Sequence, residues 1–179
     1  MARKKSTGVS GMLGDDVTVR KVHGKYRISN PTKKRTNPEG RERFREAAQY
    51  ARHQVSIPES NALYAAGVTE NKPTALRVAM SDYLSAPKVK SIDTSGYRGK
   101  VGDTINVKAV DDFMVTRVNV VIKDASGAVI EEGEAGPDSM LVNQWRYNAT
   151  KANSKLAGTT IQATAHDRPG NKTTGEVAL

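Results

Sequence analysis

The chain has no cysteine, which excludes a disulfide framework and a Cys-ligated zinc site while leaving its redox compartment open. Aromatic residues make up only 5% of it, with two Phe and one Trp, and mean hydropathy is −0.58, so each module is expected to have a thin core. Long apolar runs are also missing. The best stretch, residues 118–122, falls far short of the ~20 residues that span a bilayer. The Met-Ala-Arg-Lys-Lys opening resembles a charged leader start, but residues 6–16 hold no apolar segment. The expectation is therefore a chain without a cleavable leader, either cytoplasmic or incorporated into a particle.

Acidic residues are scarce at one end. Residues 1–55 hold 14 Lys/Arg against 5 Asp/Glu, and residues 56–179 hold 14 against 14, so the whole formal charge of +9 sits in the first third. Such asymmetry suggests a polyanionic partner, or simply a well-solvated segment. Otherwise 37% hydrophobic and 26% charged residues in 179 are ordinary for one domain or two small ones.

Read in order, residues 1–16 form a Gly-rich basic arm in which Gly8, Gly11 and Gly14 are too regularly spaced, and too far from any Gly-Lys-Ser/Thr, to be a phosphate loop. Residues 17–22 and 25–28 alternate as a β-hairpin turning at His23-Gly24, with Tyr26 and Ile28 on one face. A ribbon of two strands needs a covering layer. Asn37-Pro38 is a helix N-cap followed by proline at the first helical position, and the helix is predicted to reach about His53 with Phe44, Ala47, Ala48 and Ala51 inward. A second helix over 59–66 is expected to end at Gly67, and a third over 73–85 to present Leu76, Ala79, Met80, Tyr83 and Leu84. The expected organisation is an arm (1–16), a hairpin plus three helices (17–87) and a β-rich domain (88–179).

In that β-rich part, seven strands are predicted near 88–93, 103–109, 116–123, 128–132, 143–149, 159–166 and 172–178. The clearest is Thr160-Ile-Gln-Ala-Thr-Ala-His166, alternating into an Asp167-x-Pro169-Gly170-Asn171 turn. Seven short strands, one carrying Trp145 and Tyr147, predict an antiparallel immunoglobulin-like sandwich and make the fold class α+β. Val101-Gly-Asp-Thr-Ile-Asn-Val107, Val110-Asp-Asp-Phe113, Trp145-x-Tyr147 and Ala163-Thr-Ala-x-Asp167-x-Pro-Gly-Asn171 resemble the bacterial Ig-like modules of large surface and phage-associated proteins. That resemblance covers about half the chain and implies a module that binds, spaces or decorates. The Gly11, Gly14, Val17, Arg20 run with Gly24-Lys25 and the Pro31–Lys34 loop resembles small bacterial proteins of unassigned activity, and implies nothing about chemistry.

Strand parity collects Asp111, Asp112, Glu132, Glu134, Asp138 and Asp167 at one pole of the sandwich, with Arg168 as the only cation. Three readings compete for that acidic pole. These are turn capping by Asp, calcium held by Asp111, Asp112 and Asp167, and charge docking onto the basic segment within or between chains, for which Asp111, Asp112, Asp138 and Asp167 are the contact candidates. A polyanion would meet Arg20, Lys21, Lys25, Arg27, Lys33, Lys34, Arg35, Arg41, Arg43 and Arg45, interleaved with Tyr26 and Phe44, although those two aromatics read better as core. No RNP, helix-turn-helix or zinc-finger signature accompanies the charge. His23, His53 and His166 lie far apart and no Gly-x-Ser-x-Gly or His-Glu-x-x-His occurs, so the chain is read as non-enzymatic, without cofactor or small-molecule substrate. Two functions remain. The first is a structural, assembly or adhesion-type binding protein that contacts a protein partner or itself, and the alternative is a nucleic-acid-associated protein.

Overall fold

The computed structural model describes residues 11–13, 17–22, 25–29 and 37–179, and the chain divides into two units, Met1–Gly40 and Arg41–Leu179. In the first, β2 (Val17–Val22) and β3 (Lys25–Ser29) form the predicted antiparallel hairpin, with Val19 opposite Ile28, Arg20 opposite Arg27 and Lys21 opposite Tyr26. Gly11–Leu13, assigned from sequence to the arm, form a third strand, β1, antiparallel to β2. Tyr26 is 54% exposed and Ile28 73%, so Tyr26 does not serve as core. The remainder of the arm, the His23-Gly24 turn and the loop holding Lys33, Lys34 and Arg35 lie outside the described residues.

Three helices follow. α1 (Pro38–Ser56) starts as predicted, the Gly40 N–H donating to Asn37 Oδ1 at 2.8 Å, and continues three residues beyond the expected end. Its buried positions are Ala47 and Ala51, while Phe44, expected inward, is 57% exposed. Ile57 is extended, as a residue before proline must be, and Pro58 opens α2 (Pro58–Ala65). That helix closes on Ala66 in right-handed geometry, so Gly67 is not the left-handed cap its position suggested. Glycine is required there because a Cβ would stand 2.8 Å from the Phe113 ring. α3 (Ala75–Leu84) is capped by Thr74, which accepts from the Arg77 N–H, and buries Val78, Ala79 and Asp82. Leu76, expected on the covered face, is 36% exposed.

The sandwich consists of β4 (Lys88–Asp93), β5 (Thr104–Val110), β6 (Val115–Lys123), β7 (Val129–Pro137), β8 (Gln144–Asn148), β9 (Thr160–Asp167) and β10 (Lys172–Ala178). Every ladder is antiparallel, in the order β10-β9-β6-β7-β8-β5-β4. This is the immunoglobulin-like grouping, with first, second and fifth strands on one side and third, sixth and seventh on the other. β7 extends five residues past its predicted end because it changes partner. Its first part pairs with β6, and its last residues pair with β8 through Gly136–Arg146 and Pro137–Trp145. The sheet therefore bends round until β4 and β10 abut, with Val89 against Gly175. Period-two alternation fills the interior: Ile105, Val107 and Ala109 from β5, Val118, Val120 and Ile122 from β6, and Ile161, Ala163 and Ala165 from β9 are all fully buried. Each large aliphatic buried this way contributes about 1.5–3 kcal/mol.

Candidate interaction surfaces at the helix-capped pole

The connections β5–β6, β7–β8 and β9–β10 gather at one end of the sandwich, as parity required, and α2 and α3 lie over it. Asp111 Oδ2 accepts the N–H groups of Phe113 and Met114, both at 3.0 Å, and Asp167 accepts the Gly170 N–H at 2.8 Å and Asn171 Nδ2 at 2.7 Å. Both therefore act as turn caps. Asp112 turns to the helices instead, where its Oδ2 takes Lys72 Nζ at 2.7 Å and Ser81 Oγ at 2.6 Å. Burial raises the Asp112 pKa, but these two hydrogen bonds and the Lys72 charge outweigh it and hold the carboxyl below its ordinary value. Glu132 and Glu134 do not join the pole. They lie along β7 opposite Val121 and Asn119. Among the described residues no three His, Cys, Asp or Glu side chains are placed to hold a metal ion.

Arg168, the cation of the last turn, reaches α2. Its Nη2 donates to Ser60 Oγ at 3.1 Å, and its guanidinium sits 5.6 Å from the centre of the Tyr64 ring. Phe113 from the β5–β6 connection stacks on the same ring, with centroids 4.7 Å apart. The seam between helices and sandwich thus carries a polar chain, in which the hydroxyls of half-buried Tyr50 and buried Tyr64 meet at 2.8 Å and Tyr64 donates to buried Asp82 Oδ2 at 2.6 Å. Desolvation lifts the Asp82 carboxyl to about 7. The Tyr64 bond opposes that shift, and the nearby charges of Asp111 and Asp167 add to it. Asp82 Oδ1 and Asp111 Oδ1 are both buried without a hydrogen-bond partner among the described residues.

Sequence reasoning missed Asp82, although it falls three residues after Ala79 and so within the apolar stripe of α3. It also missed Glu131. This side chain is 2% exposed and its Oε2 accepts from the Tyr147 hydroxyl, the Thr150 N–H and hydroxyl, and the Lys151 N–H.

Two surfaces at this end are apolar and exposed. In the β7–β8 loop, Met140 is 89% exposed, Leu141 58% and Val142 86%. The loop is nonetheless held in one shape. Asp138 Oδ1 accepts the Met140 and Leu141 N–H groups at 2.9 and 3.1 Å, its Oδ2 pairs with Arg146 at 2.9 Å, and Asn143 is left-handed with φ 62°. Those backbone N–H bonds, the largest influence, and Arg146 keep the Asp138 carboxyl below its ordinary pKa. The second surface is a groove of about 500 Å³ beside α1 and α3.

Arg20, Lys21, Lys25 and Arg27 belong to β2 and β3, whereas Arg41, Arg43 and Arg45 lie on the first half of α1. Arg43 donates to the Leu84 carbonyl at 3.1 Å. Among the described residues, no helix is long and apolar enough to cross a membrane.

No family model and no curated protein matches the chain. Among solved structures it is similar to an engineered protein, at 20% identity and TM-score 0.38 over 54% of this chain and 20% of that one. It is also similar to a tetra-tandem repeat in the extending region of a large adhesion protein, at 20% identity and TM-score 0.32 over 51% and 22%. A conjugative transposon lipoprotein from Bacteroides eggerthii matches at 12% identity and TM-score 0.28 over 52% and 93%. The chain spans about a fifth of the length of the first two.

Proposed function

We propose that the chain is a non-enzymatic protein-contact module of the structural, assembly or adhesion class, in which an Ig-like sandwich of the bacterial surface and phage-associated kind presents its β7–β8 loop to a partner. The supporting observation is the loop itself. Three consecutive large apolar side chains, Met140, Leu141 and Val142, stand in water on a backbone already fixed by Asp138 and Arg146. Exposed apolar clusters of this kind mark contact sites, and a preformed loop spares most of the ordering entropy that binding otherwise costs. Loops at the end of an immunoglobulin-like sandwich are where such folds make their contacts.

A photo-crosslinker placed at Val142 in the native cells should capture a protein partner or a second copy, and capture should disappear when Met140 and Leu141 are changed to Ser. The same crosslinker at exposed Lys155 should capture nothing; equal capture from both positions would sink the proposal. The charge of the first third, 14 Lys/Arg against 5 Asp/Glu, favours the second reading, nucleic-acid association. That reading predicts a salt-dependent gel shift of short DNA or RNA by the full chain at moderate salt, and it fails if none is seen.

A further inference from the structure

The groove beside α1 and α3 has an apolar floor and a cationic rim. Phe44, Leu76, Met80 and Leu84 make the floor, with Phe44 57% and Leu76 36% exposed. Arg52, Lys72 and Arg77 line the same recess, and among the described residues no carboxylate does. Lys72 is already neutralised by Asp112, but Arg52 and Arg77 have no ion-pair partner among the described residues. The exposed phenyl ring is not an accident of a weakly packed helix. The same turns of α1 bury Ala47 and Ala51 completely, so the helix is firmly seated, with Phe44 turned away from the seat and Tyr50, its other aromatic, turned toward Tyr64.

We propose that this groove receives an acidic amphipathic helix from a protein partner, with the apolar stripe of that helix on Phe44 and Leu76 and its carboxylates on Arg52 and Arg77. The surface is separate from the β7–β8 loop, and the inference stands or falls without it. Its physical basis is the helix-in-groove mode, in which anchors at i, i+3 or i+4, and i+7 fill a hydrophobic trough while charges set orientation. α3 has ten residues and so runs about 15 Å at the usual helical rise, the length of two to three turns of a helix laid beside it. Charge selects among occupants. A second copy brings +9 to meet +9, which opposes self-association, and residues 1–36 carry the same sign as the rim. A nucleic acid would answer the arginines but leave the floor wet.

The test uses the full chain and a fluorescein-labelled amphipathic peptide of three to four helical turns, with Leu along one stripe and Glu elsewhere, at physiological salt. Two controls accompany it, a scramble of identical composition and a version with Lys in place of Glu. The acidic amphipath should bind at least about tenfold more tightly than either control, and Phe44→Asp and Arg77→Glu should each weaken it about tenfold or more. Met140→Ser should leave binding unchanged. Both groove residues are exposed, and an unchanged circular dichroism spectrum and melting temperature confirm that the variants fold. Equal binding of the scramble would overturn the proposal by reducing it to charge alone, as would binding that neither groove variant weakens. Self-association of the chain that Phe44→Asp abolishes would assign the groove to a second copy and overturn it equally.

Discussion

The interior of the sandwich and the seam beneath the helices are held by different forces. Inside the sandwich, Ile105, Val107, Val118, Val120, Ile122 and Ile161 meet one another and contain no atom that titrates. At the seam, buried Tyr64 and Asp82 and half-buried Tyr50 and Asp111 bring hydroxyls and carboxyls together, and Phe113 and Arg168 pack on Tyr64 from the strand ends. The loss from truncating one of the sandwich's aliphatic side chains should follow the volume removed and not the pH. The seam should respond to single atoms and to protons.

The largest effect is expected in the sandwich. Ile161→Ala leaves a cavity where the side chain is fully buried and should cost about 2–5 kcal/mol in urea unfolding, with the same loss at pH 5 and pH 8. At the seam, Tyr64→Phe removes a single oxygen and leaves Asp82 Oδ2 without its donor, for about 1–3 kcal/mol. A Tyr64→Phe cost near zero would mean that the polar chain is decorative.

Protons separate the regions further. In the folded chain the Asp82 carboxyl titrates at about 7, against an ordinary 3.8. Its protonated form therefore adds stability that is complete below the lower value and is lost as pH rises through the upper one. His166, held below its usual pKa by burial and by Arg117 and Lys172, slopes the other way, so the informative quantity is the difference between two proteins. Asp82→Asn should flatten the fall in stability between pH 4 and pH 7 relative to the parent chain, measured by urea midpoints across that range. An unchanged profile would place the Asp82 proton elsewhere. The smallest effect should come from the partly exposed Lys72–Asp112 pair, where Lys72→Met is expected to cost no more than about 1 kcal/mol, and less at high salt.

What the sequence reveals follows the same division. Strands whose pattern is period two, such as Thr160–Asp167, are readable because each residue's side of the sheet is set by its own position. Asn37-Pro38 is readable because capping is local, and the Asp167 turn for the same reason. Phe44 and Leu76 are not, because an amphipathic pattern names an apolar stripe without saying whether this chain covers it. Asp82 and Glu131 are hidden for a related reason. Their burial depends on donors distant in sequence, Tyr64 for one and Tyr147, Thr150 and Lys151 for the other. The exposed loop is half legible. Met140-Leu141-Val142 is visible as an apolar triplet, but its fixed shape depends on Arg146 crossing back to Asp138.

The abutment of β4 against β10 has a consequence for what cannot dock. A sheet that ended there would offer two rows of free backbone groups to any stray strand, the usual start of edge-to-edge aggregation. Here each border strand blocks the approach to the other, Gly175 allows Val89 to come close, and β4 carries a register shift at Lys90 that spoils a straight ladder. The sandwich therefore has little to give a partner that recognises by adding a strand. A partner of that kind would have to displace one border strand from the other before it could pair.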